Sequence, residues 1–125
     1  MSFRRKQLTV ALSDRDQQIV QDLVQRLRKA LEGRLKQVIV YGSRARGDHK
    51  AESDLDVLIL VEHLDDSLKQ RIREIRYRVM WEEDFEPLIS LLCQEETEFS
   101  RQIWQGSGLA TNIQHEGCLV YEREG

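Results

Sequence analysis

Apolar positions along this chain change their spacing several times, and each change marks an element. Ile19, Val20, Leu23, Val24, Leu27 and Leu31 recur at helical spacing and predict a helix over residues 14–32. Ser13 stands where an N-cap would, with Asp16 three residues on. Gly33 closes the pattern, since glycine accepts the left-handed conformation that ends many helices. Residues 38–41 (VIVY) are short, apolar and mostly β-branched, the composition of a buried strand. Over residues 55–61 the period falls to two. Leu55, Val57, Ile59 and Val61 share one face, and Asp54, Asp56, Leu58 and Leu60 the other.

A second helix starts near Asp65-Asp66, two acids suited to a helix N-terminus. Leu68, Ile72, Ile75, Val79 and Met80 form its apolar stripe, while Lys69, Arg71, Arg73, Arg76 and Arg78 read as a solvated basic face. Residues 87–93 predict a third strand, with Pro87 tolerated at its start. Residues 95–104 predict a helix anchored by Phe99, Ile103 and Trp104, broken by Gly106 and Gly108. Residues 109–115 add a further turn or two, and 118–121 a final strand. Residues 8–12 read as a short strand or a lead-in to the first helix.

This order predicts an α/β (α+β) domain, a small mixed sheet flanked by helices. A doubly wound parallel sheet fits less well, because the stretch between the first two strands is too short for a crossover helix. At 125 residues the chain is expected to be a single domain, 1–125, able to bury a core without staples.

The net charge of −3 argues against a dedicated nucleic-acid binder. The basic cluster Phe3-Arg4-Arg5-Lys6 is local and reads as a solvated terminus. Cys93 and Cys118 sit in apolar surroundings without CxxC spacing, the usage of reduced thiols in a cytoplasmic protein. A zinc site joining them to His115 lacks a fourth ligand. No signal peptide and no membrane-spanning apolar run is expected.

The chemistry concentrates between the first two strands. Gly42 lets the backbone turn sharply and a ligand come close, and Ser43 can cap a following helical turn. The N–H groups of such a turn make a small anion site, with Arg44 and Arg46 as candidate phosphate contacts. Taken alone, Gly-Ser is a common connecting loop, and the Walker A string is absent. Asp54 and Asp56, two apart, fall on one strand face. Two carboxylates so close repel unless a cation neutralises them, and oxygen-only ligands suit Mg²⁺ bound together with substrate phosphates. A lone Asp-x-Asp is often a solvated strand end. A phosphate cradle beside a metal pair instead points to metal-assisted phosphoryl transfer.

GSRARG followed by SDLD resembles the signature of the minimal nucleotidyltransferases of the DNA polymerase beta superfamily. Gly42, Ser43, Ala45 and Gly47 match its first segment, and Asp54 and Asp56 its second, ten residues (44–53) after Ser43. The resemblance implies a polymerase beta-like nucleotidyltransferase fold, with Gly42 and Ser43 on an NTP triphosphate, ATP first, and Asp54 and Asp56 on Mg²⁺. It also implies a third carboxylate on a later strand, near residues 85–90. The sequence there is FEPLIS, so Glu86 is the candidate catalytic residue, with Asp84 beside it and a solvated helix end as the alternative. The natural base for the acceptor hydroxyl would be that carboxylate.

Two functions follow. One is a Mg²⁺-dependent nucleotidyltransferase moving a nucleoside monophosphate to a hydroxyl on protein, nucleic acid or small molecule. The resemblance suggests that it works as the antitoxin of a HEPN-type helical protein; a second copy of the chain is a further candidate partner. The other is a weak or inactive module of the same fold that binds nucleotide or masks a partner, the reading favoured by the departure at the third carboxylate.

Overall fold

The computed structural model describes residues 12–48 and 52–124. Their order is α1 (Asp14–Leu31), a 3-10 turn (Glu32–Arg34), β1 (Leu35–Tyr41), α2 (Gly42–Arg46), β2 (Leu55–Val61), α3 (Asp66–Glu82), β3 (Ile89–Glu95), α4 (Glu96–Trp104), α5 (Gly108–Glu116) and β4 (Cys118–Glu122). The helix starts follow the expected capping chemistry. Ser13 accepts from the Asp16 N–H at 3.0 Å, and Asp65 from the Leu68 N–H at 2.7 Å.

The four strands form one mixed sheet in the order β3-β2-β1-β4. β1 runs antiparallel to β2 and β4, while β2 and β3 are parallel, joined by α3 as a parallel pair requires. Helices cover both faces. On one, α1 and α3 bury Leu23, Leu27 and Ile72 against Val38, Val57 and Ile59. On the other, Phe99 of α4 and Ile113 of α5 close over Ile39, Leu58 and Leu60.

Two strands differ from expectation. β1 begins at Leu35 rather than at 38, because buried Leu35 pairs with Val61 across a register shift at the polar Lys36-Gln37 step. β3 runs from Ile89 to Glu95 rather than over 87–93. Gln94 and Glu95 continue the ladder opposite Leu60 and Val61, while Asp84 and Phe85, both left-handed at φ 56° and 59°, form the turn before it. Backbone pairing with a fully buried neighbour overrides the polarity of the last two residues. Residues 8–11 and the basic cluster lie outside the described residues. Cys93 and Cys118 stand on the two outermost strands, too far apart to share a metal. No described helix is long and apolar enough to cross a membrane.

Candidate active site

β1 ends at Tyr41 and turns at once into α2. Gly42 makes that turn with φ +81°, a conformation that side-chain-bearing residues rarely adopt. It has a second reason to be glycine: a Cβ there would overlap Asp56 Oδ2. Tyr41 is the register partner of Asp56, so the glycine-serine turn and the aspartate lie on adjacent strands. No side chain caps the start of α2. Its leading N–H groups are therefore of the kind that helix N-termini offer to anions. Gly47 closes the turn in the left-handed region, donating to the Ser43 carbonyl at 2.9 Å.

Asp54 is exposed one residue before β2, and Asp56 is half-buried inside it. Burial pushes the Asp56 carboxyl above the usual carboxylate range; the Asp54 charge pushes it further, and Arg46 pulls it partly back. The neighbouring Tyr41 phenol is raised by burial and by the Asp56 charge. The pair thus favours a proton or a cation. Two hard oxygen donors, one open to solvent, beside a turn with no Cβ in the way, fit a divalent ion such as Mg²⁺.

The two arginines of the loop part company. Arg44, at 8% exposure, points to the α1 side. Its Nη1 donates to both carboxylate oxygens of buried Asp16, at 3.1 and 2.9 Å, and its Nε to the Ser53 carbonyl at 2.7 Å. It therefore ties α2 to α1 and to the residue preceding Asp54, and its guanidinium is engaged away from the Asp56 face. Arg46 is exposed, donates to Asp48 at 3.2 Å and Glu116 at 3.0 Å, and acts electrostatically on Asp56. Asp16 carried a signal that the capping pattern hid: it falls in the same helical stripe as Ile19, Val20 and Leu23.

In the parallel β2/β3 register Asp56 stands opposite Ser90. Leu92 and Gln94 follow Ser90 on the same face. Glu86 precedes the strand, exposed, and lines a groove with Arg15, Arg44, Glu52 and Ser53. Asp84 is exposed in the turn. Among the described residues, no group of three or more His, Cys, Asp or Glu side chains is placed to hold a metal. The structure gathers Gly42, Ser43, Asp54, Asp56 and Arg46 at one end of the sheet, with Glu86 lining a groove beside Ser53 and Asp84 exposed in the turn before β3. Ser90, which no motif marks, is the residue beside Asp56.

The fold has solved counterparts. It is similar to a "putative nucleotidyltransferase" from Sulfolobus solfataricus, with a TM-score of 0.56 and 19% identity over 87% of this chain and 82% of that one. It is also similar to a chain of a toxin-antitoxin assembly crystallised with AMP-PNP, with a TM-score of 0.57 and 16% identity over 83% and 73%. In sequence it is 34% identical over 80 residues to the "putative protein adenylyltransferase" MJ0141 of Methanocaldococcus jannaschii, 64% of this chain and 80% of that one. Residues 19–109, which span the turn, both aspartates and Ser90, match the nucleotidyltransferase domain, and the chain belongs to that family.

Proposed function

We propose that this chain transfers a nucleoside monophosphate from an NTP, ATP first, to a hydroxyl acceptor, with Mg²⁺ held by Asp54 and Asp56. One observation carries the reading: Asp56, its carboxyl raised by burial and by Asp54, packs against the one backbone position, Gly42, that has no Cβ to exclude it. Gly42 and Ser43 would take the triphosphate on the turn's N–H groups and the serine hydroxyl. A bound Mg²⁺ would neutralise charge on the phosphates. Arg46 adds a cation on the same side.

In the transfer, the acceptor oxygen bonds to the α-phosphorus. The bond from that phosphorus to the pyrophosphate oxygen breaks, pyrophosphate leaves, and the hydroxyl proton passes to water. A protein hydroxyl is the acceptor favoured by the name of the Methanocaldococcus jannaschii relative. A companion in a toxin-antitoxin pair is favoured by the assembly that shares the fold. That the companion is a HEPN-type helical protein rests on the sequence resemblance, and a cytoplasmic place on the cysteine usage.

The placement of Ser90, not an acid, beside Asp56 favours a second reading, a slow or inactive module that still binds nucleotide. Calorimetric titration of ATP with Mg²⁺ and then with EDTA tests both. Binding that requires Mg²⁺ and disappears in Asp54→Asn/Asp56→Asn, with an unchanged circular dichroism spectrum, supports the site. Equal binding in the double variant would remove it. Transfer of label from α-labelled ATP then separates the enzyme from the binding module.

A further inference from the structure

We infer that the groove between α3 and β3 is the acceptor-docking site and that it takes an extended acidic segment of a protein. The delivery of a hydroxyl for transfer rests on the function proposed above; the binding itself does not. The groove, about 420 Å³, is lined by Lys69, Arg73 and Arg76 from α3 and by Ser90, Leu91 and Cys93 from β3.

Its cations are unlike most of the others. Outside α3, arginines mostly carry carboxylate partners: Arg26 has Asp22 and Glu82, Arg46 has Asp48 and Glu116, and Arg123 has Glu62. Among the described residues, Lys69, Arg73 and Arg76 make no ion pair. Arg73 donates to Gln70, and Arg76 to the Ile89 carbonyl at 2.6 Å. Three cations along one groove, left without counter-charges, fit a partner that brings its own carboxylates.

The groove also has a direction. β3 ends the sheet among the described residues, so its outer edge is available for a strand-like segment. Ser90 belongs both to the groove and to the register position beside Asp56, and neighbouring strands lie about 5 Å apart. The Ser90 side chain shares the Asp56 face while Leu91 and Cys93 face α3, so the groove and the aspartate pair come together only at the edge of β3. A segment laid along the outer edge of β3, its carboxylates on Lys69 and Arg73, lies two strand spacings, about 10 Å, from Asp56, and reaches the site end with a long hydroxyl-bearing side chain. Tyr77 and Trp81 are further exposed large side chains of α3, of the aromatic composition found at protein interfaces. Net charge −3 disfavours a single-stranded nucleic acid there.

The test uses the whole chain and three labelled probes: an octapeptide alternating glutamate and tyrosine, its lysine-tyrosine counterpart, and oligoadenylate RNA. Fluorescence anisotropy is expected to show the glutamate peptide binding, weakening with salt, and binding about tenfold more weakly to Lys69→Glu/Arg73→Glu. The variant is expected to gain the lysine peptide and to bind Mg²⁺-ATP as the wild type does. Equal glutamate-peptide affinity in both proteins, or RNA binding in place of peptide binding, would overturn the proposal. Peptide binding by a wild type that fails to bind Mg²⁺-ATP would remove the transferase reading and leave the groove standing.

Discussion

The two faces of the sheet divide the work unequally. Among the described residues, twenty buried side chains form the core under α1 and α3, and seven the core under α4 and α5. The thinner face is the one on which Asp56 and Ser90 lie, at the strand ends. The difference shows within α2. Arg44 turns to the thick face and is locked between Asp16 and Ser53, while Arg46, two residues on, stays at the open side among Asp48, Glu116 and the field of Asp56. Stability is anchored on one face so that two like charges can be held together at the rim of the other.

Removing the inner arginine should break that division most. Arg44→Met leaves Asp16 buried without its cation and is expected to cost about 3–5 kcal/mol in denaturant unfolding. Adding Asp16→Asn should recover most of the loss. Arg46→Met, at an exposed pair, should change stability little while raising the Asp56 carboxyl further, visible as a later onset of Mg²⁺ binding on raising pH. Equal destabilisation by the two arginine variants would mean that the faces are not so divided.

Leu23→Ala, in the thick core, is expected to cost about 2–5 kcal/mol and to leave Mg²⁺-ATP affinity unchanged below the melting transition. An affinity loss there would show that the α1 core shapes the site directly.

Ser90→Asp supplies a third carboxylate opposite Asp56. About tenfold tighter Mg²⁺ binding by calorimetry is expected, with slower use of acidic acceptors. No gain would mean that residue 90 does not reach the ion.

The smallest expected effect is a gain. Because the Asp56 carboxyl is raised in the folded protein, its contribution favours the fold at acid pH. That contribution is lost as pH rises from the ordinary carboxylate range through the raised value. Asp56→Asn should therefore raise the metal-free melting temperature at neutral pH by roughly 1–3 °C, with no gain below that window. A lower melting temperature would show that the charged form supports the fold.

Much of this was settled by local sequence. Apolar spacing gives α1 and α3, capping residues give their starts, and the glycine-serine and aspartate segments give the family, because these depend on neighbours along the chain. Which side each residue serves was decided only by tertiary structure. Asp16 reads as part of a helix cap, yet it becomes the buried partner of Arg44 because α1 crosses beside α2. Glu86 is the nearest acid in sequence; the turn through Asp84 and Phe85 sets it before β3, and the parallel register places Ser90 opposite Asp56. Strand register is fixed by pairing partners that lie far away in sequence, and a one-residue shift exchanges the faces. The chain's own pattern therefore names its chemistry, and only the assembled sheet decides which side chains meet.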